Sequence, residues 1–151
     1  MTDHILPQDR VGLHLANYPH RHSVETRSSD CFGSIGHIPN SKIAEYGDDA
    51  RLNVLRTILG EENPAAFQLV EARFQYFAEL TFPGAVTIGV GIVGMGNSSM
   101  RQIAGYFREG RCHVLAHFTL VKTLNGASAP LTAEERLRAT PFIIEGLAAN
   151  T

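Results

Sequence analysis

Tryptophan is absent from this 151-residue chain, and cysteine occurs only at Cys31 and Cys112. Two widely separated cysteines make neither a disulfide framework nor a zinc-ligand spacing, so both are expected to stay thiols. No apolar run approaches the length a bilayer requires, and Met1 to Arg10 holds no apolar signal core. The expectation is a cytoplasmic chain with no membrane attachment. Positive charge is not in excess either. Thirteen Lys and Arg against fifteen Asp and Glu leave a net charge of −2, and without a basic cluster neither nucleic acid nor an anionic membrane is an expected partner. Repeats and low-complexity stretches are also missing. What is present is a composition 44% hydrophobic and 19% charged, the balance of one domain with a true core spanning residues 1–151.

Hydrophobic periodicity divides that domain. Residues 1–21 carry Pro7, Pro19 and scattered histidines without a period and read as an irregular arm, which leads into a short strand from His22 to Ser28. A loop with Gly33, Gly36 and Pro39 follows. From Asn40 or Ser41, Ile43, Gly47, Ala50, Val54 and Ile58 recur at three- and four-residue steps, and Gly60 supplies a stop, so the pattern predicts one long helix. Gly47 and Ala50 lie on its apolar stripe, where small side chains let a sheet come close. The period then becomes two: Val70, Ala72, Phe74, Tyr76, Ala78 and Leu80 predict a long half-buried strand. Pro83-Gly84 turns the chain into a strand over Val86 to Ile92, and Gly94 to Asn97 turns it again. Strands from Ser98 to Arg108 and Arg111 to Leu124 follow, joined at Glu109-Gly110. Residues 125–151 read as a loop and a short helix, with Thr132 and Glu135 as a capping box, a break at Pro141 and a further helical turn over Phe142 to Ala149. One strand, a long helix and four strands in hairpin succession predict an α+β fold, an antiparallel sheet curled around a single buried helix.

Several motifs carry a chemical reading and a plainer one. Gly89-Val-Gly91-Ile-Val-Gly94 matches the dinucleotide-binding glycine pattern but alternates like a strand interior and opens no helix, so no nicotinamide or flavin is expected. His20 with His22, and His113 with His117, lie at strand spacings that share a face, yet neither pair has a third ligand, so no metal is expected. Cys31 beside Asp30 lacks a local histidine to activate it. The informative stretch runs from Arg27 to Arg51. There an acid, Asp30, sits in a Gly-containing loop just before the helix, whose first N–H groups lack partners. That arrangement suits acyl chemistry: amides near Asn40 hold an oxyanion while the carboxylate serves as base or nucleophile. The plainer reading is an Asp that caps a turn.

Gly36-His37-Ile38-Pro39-Asn40 followed by Asp48-Asp49-Ala50-Arg51 resembles the helix-entry signature of the hotdog thioesterases of the 4-hydroxybenzoyl-CoA thioesterase family. The similarity in order and spacing extends over about residues 22–140. It implies the hotdog fold, an acyl-CoA substrate with CoA as part of it rather than a separate cofactor, thioester hydrolysis, and a homodimer or a dimer of dimers. It also implies site residues: Asp30 as base or nucleophile, Asn40 at the oxyanion, His37 or Asn40 orienting the loop, and the turn of Gly96, Ser98 and Ser99 against CoA. The sequence departs from the family pattern at one place. The family's acid stands three residues before the glycine, where this chain has Gly33, whereas Asp30 stands six before Gly36. Either the loop carries extra residues and Asp30 reaches the catalytic position, or Asp30 matches an outer, noncatalytic acid and the true carboxylate is missing; subfamilies similar to this fold that carry their acid on the helix make Glu45, Asp48 and Asp49 the reserves, Glu45 first. Two other functions stay open: an acyl-CoA-binding hotdog protein without turnover, and a hotdog hydratase or dehydratase.

Overall fold

The computed structural model describes Ile5, residues 7–31 and residues 36–144. Its one long helix, α1 (Asn40–Leu59), buries all five stripe positions, Ile43, Gly47, Ala50, Val54 and Ile58, together with Tyr46, Arg51 and Leu55. Gly60 ends it in a left-handed conformation, φ 82°, that a side chain would strain. Gly47 is required for a different reason: a Cβ there would stand 2.1 Å from the Tyr106 hydroxyl.

The strands are β1 (His20–Glu25), β2 (Ala66–Tyr76), β3 (Ala85–Met95), β4 (Ser99–Arg108), β5 (Arg111–Leu124) and the two-residue β6 (Ala127–Ser128). All pair antiparallel, in the order β1-β3-β4-β5-β2, with β6 added to β5. The sheet packs α1 on one face. Val86, Ile88, Val90, Ile92, Ala104, Tyr106, Val114, Ala116 and Phe118 meet the helix there in one apolar core. The helix lies over β1 and β3.

The opposite face is covered by residues 7–18. Short 3-10 turns at Pro7–Leu13 and Leu15–Asn17 lie over the middle of the sheet, and Tyr18 joins Ile103, Phe107 and Leu115 in a second core. The glycine-rich stretch is strand interior, and its glycines make room: a Cβ at Gly89 would stand 2.4 Å from the Tyr18 ring, and one at Gly91 2.5 Å from Ile144. From residue 7 onward the N-terminal arm is thus built into the fold rather than irregular.

Several expected boundaries move. β1 spans His20–Glu25 rather than His22 to Ser28, because Ser28–Asp30 winds into a 3-10 turn. β2 begins earlier and ends at Tyr76, and it is not half-buried: it is an edge strand, with Leu69 46%, Val70 58% and Tyr76 45% exposed. Ser99 rather than Ser98 opens β4, and Gly94 remains inside β3, at a register shift. The capping box forms as expected, Glu135 N–H donating to Thr132 Oγ1 at 3.1 Å at the start of α2 (Ala133–Ala139). Pro141 lies inside a 3-10 turn, Thr140–Phe142, and beyond Phe142 the chain is extended: Ile143 pairs with Ile92, and residues 145–149 of the expected helical turn lie outside the described residues.

Candidate active site

The segment entering α1 is held by the one that leaves β2. Ile38 N–H donates to Leu80 O at 3.0 Å, Phe82 N–H to Gly36 O at 2.7 Å, and His37 bridges Thr81. These bonds explain why apolar alternation outlasts β2: Leu80 is buried beside Ile38 although the strand has ended. Between the two segments lies a cleft of about 260 Å³ lined by His37, Ile38, Asn40, Ile43, Tyr76, Phe77, Ala78 and Glu79.

The start of α1 opens at this cleft. Its N-cap is Pro39, which offers no side-chain acceptor, and Pro39 O receives the amides of Lys42 and Ile43. Among the described residues the amides of Asn40 and Ser41 find no acceptor. They stand at the positive end of a twenty-residue helix, where developing negative charge is stabilised. Beside them, His37 Nδ1 is 3.7 Å from Glu79 Oε1. His113 Nδ1 lies 2.9 Å from Glu79 O. A carbonyl only accepts, so His113 carries its proton on Nδ1 and fixes the backbone at Glu79.

Asp30 is elsewhere. It is 3% exposed and closes its own 3-10 turn, accepting the Arg27 N–H at 3.1 Å, while the Tyr46 hydroxyl, from the second turn of α1, donates to Oδ2 at 2.6 Å. Arg27 Nη2 reaches Oδ1 at 3.4 Å. The Tyr46 hydroxyl, more than any other group, holds the Asp30 carboxyl below the usual carboxylate range, with Arg27 adding to the effect against the cost of burial. Asp30 is not among the residues that line the cleft.

The remaining candidates scatter. Glu45 is exposed and pairs with Lys42 at 3.0 Å. Asp48 pairs with the buried Arg51, whose guanidinium lies 4.2 Å from the Phe118 ring centroid, and Asp49 is exposed. Gly96, Ser98 and Ser99 form the β3–β4 turn, braced by Arg136 Nη2 on Gly96 O at 2.7 Å. Tyr76 aligns through Val114 with Tyr106, whereas Ser99 begins β4, so turn and cleft are separated by ~20 Å along the sheet of one chain. The structure therefore brings His37 and Asn40 together and leaves Asp30, Glu45 and the turn apart from them. It adds Glu79, which sequence reasoning missed because it read as an outward residue of a continuing strand. Among the described residues no three His, Cys, Asp or Glu side chains are grouped closely enough to hold a metal.

No protein-family model matches the sequence, and no curated protein matches it. Solved structures do match. A thioesterase from Thermus thermophilus, complexed with coenzyme A and Zn, is 26% identical, with a TM-score of 0.76 over 83% of this chain and 95% of its own. A predicted thioesterase from Bacillus stearothermophilus is 17% identical with a TM-score of 0.75, over 82% of this chain and 96% of its own. A 1,4-dihydroxy-2-naphthoyl-CoA thioesterase from Synechocystis is 13% identical with a TM-score of 0.69, over 80% and 95%. The curled antiparallel sheet around a central helix is the hotdog fold, which this chain shares with these thioesterases.

Proposed function

We propose that the protein hydrolyses an acyl-CoA thioester in the cleft at the start of α1. The observation that carries this reading is the uncapped helix terminus, with the free amides of Asn40 and Ser41 beside a cleft of mixed apolar and polar lining. A thioester carbonyl placed against those amides has its oxyanion stabilised as water attacks, while Ile38, Ile43, Tyr76 and Phe77 offer apolar contact to an acyl group. The coenzyme A complex of the Thermus thioesterase supports a CoA-linked substrate. No bound cofactor or metal is needed for this chemistry.

The reading includes a homodimer. β2 ends the sheet as an eleven-residue edge carrying exposed Leu69, Val70 and Tyr76, the kind of edge that a second copy covers by antiparallel pairing. Pairing β2 with its copy would carry the partner's β3–β4 turn towards the cleft's end of the sheet, which returns Gly96, Ser98 and Ser99 to a role at CoA. Light scattering on a sizing column should give a dimer, and a monomer at micromolar concentration would refute the shared site.

A second reading, binding without turnover, draws on Asp30, whose carboxylate is engaged by Tyr46 and Arg27 rather than facing the cleft. Thiol release over a panel of short, long, aromatic and 2-enoyl-CoA thioesters separates the two. Release with at least one ester supports hydrolysis. Binding without release supports the carrier, and loss of the enoyl absorbance alone would identify a hydratase.

A further inference from the structure

We propose that His37 is the general base of the hydrolysis and that Glu79 is its positioning residue, an inference that rests on the thioesterase reading above. His37 and Glu79 both line the cleft, His37 within the pairing of 36–38 with 80–82 and Glu79 one residue before it, which fixes their relative positions. Nδ1 of His37 faces the Glu79 carboxylate at 3.7 Å, a gap that a small rotation of the Glu79 side chain, 76% exposed, closes to a hydrogen bond. A carboxylate accepts only, so the hydrogen bond closed in this way would keep the proton on Nδ1 and leave Nε2 unprotonated, the tautomer a base requires. The backbone of Glu79 is meanwhile held by His113. The unpaired amides of Asn40 and Ser41 follow three and four residues after His37, which puts base and oxyanion donors on one short stretch of chain.

The step balances without a further reactant. A water oxygen bonds to the thioester carbon as Nε2 takes its proton, and the carbonyl π pair moves onto the oxygen held by the helix amides. When that pair returns, the C–S bond breaks and the thiolate leaves. His37 gives its proton to the sulfur, and the products are the free acid and CoA. Asp30 takes no part, because its oxygens are occupied by Tyr46 and Arg27 outside the cleft.

The experiment is steady-state hydrolysis of the best ester of the panel by purified variants, each checked for its melting transition. His37→Ala should lower kcat by about 10²-fold or more at nearly unchanged KM, and added imidazole should restore part of the rate, which a structural loss does not allow. Glu79→Gln should lower kcat about tenfold at unchanged KM, with Glu79→Asp recovering part of it. Asp30→Asn should retain turnover. Full activity in His37→Ala, or a collapse of kcat in Asp30→Asn with His37 variants active, would overturn the His37 assignment while leaving hydrolysis in place. A folded His37→Ala that loses activity and gains nothing from imidazole also overturns it. A wild-type protein that releases no thiol from any ester overturns both readings together.

Discussion

Gly47 offers a test of how tightly the spacing between α1 and the sheet is set. Gly47→Ala should favour the helix by about 1 kcal/mol. The added methyl, however, would sit 2.1 Å from the Tyr106 hydroxyl, on a side chain with no exposure that cannot swing away. Overpacking of a close-packed interior costs ~1–3 kcal/mol, and an overlap this deep belongs at the upper end, so Gly47→Ala should be destabilised by about 2 kcal/mol net. The hydroxyl has no hydrogen-bond partner among the described residues. Removing an unpaired buried hydroxyl recovers up to ~1–3 kcal/mol, so Tyr106→Phe alone should be neutral or stabilising. In the double variant the nearest remaining atom is Tyr106 Cζ at 3.2 Å, only a few tenths inside ordinary contact. Gly47→Ala with Tyr106→Phe should therefore be at least as stable as the unsubstituted protein, and the cycle should show ~2–3 kcal/mol of favourable coupling. Urea unfolding followed by circular dichroism measures all four corners. Additive effects, or a neutral Gly47→Ala, would refute the close-contact argument. Because α1 carries Asn40 at the cleft, turnover should fall in the single Gly47 variant and recover in the double.

Tyr46→Phe removes the strongest bond to a buried carboxylate and should cost about 1.5–3 kcal/mol in the same assay; a loss within error would mean that the bond does not anchor the loop. Asp30 is held below its usual range, so the stability it contributes is whole above pH about 4 and is lost as pH falls through its lower folded value. Melting curves of Asp30→Asn should accordingly flatten on the acid side and run parallel to the wild type at higher pH. Lys122 and Glu135, 5% and 1% exposed, pair in the interior, and Glu135→Ala, which strands the ammonium, should cost ~3–5 kcal/mol. Val70→Lys on the exposed edge of β2 should turn a dimer into a monomer by light scattering, with little change in the secondary structure of each copy.

The helix was legible because its stripe obeys one period and packs one face. Every stripe position from Ile43 to Ile58 is buried, and Gly60 stops the helix where expected. The β5 boundaries, Arg111 to Leu124, also follow from the sequence, since tight turns close both ends, Glu109-Gly110 and Asn125-Gly126, all four residues with positive φ. That second dipeptide is a hairpin signal within a stretch whose composition predicts a plain loop, and it produces β6. β2 departs from the half-buried expectation for a physical reason. Alternation reports which residues some surface will cover, and at an edge that surface is not in the same chain, so the apolar residues of β2 stay exposed. The arm over the outer face carries no period because 3-10 turns seat on glycines, and room left by an absent side chain has no signature in hydrophobicity.

The same distinction explains the site. Proximity in sequence favoured Asp30 as the acid nearest the helix entry, but a carboxylate there has two destinations: the helix end, or the side of the helix one turn on. Tyr46 decides between them. Its hydroxyl binds Asp30 at 2.6 Å and, in lowering the carboxyl's pKa, makes the group a weaker base as well as a fixed one. His37 was legible as a residue of the helix-entry motif, but its partner was not, because Glu79 reaches it only through the pairing of two segments some forty residues apart. A base needs its orienting group and its oxyanion donors at once, and the end of the sheet where β2 gives way to that pairing supplies both. The catalytic assignment therefore turns on a long-range backbone contact, His37 with Thr81, rather than on the acid that the loop carries.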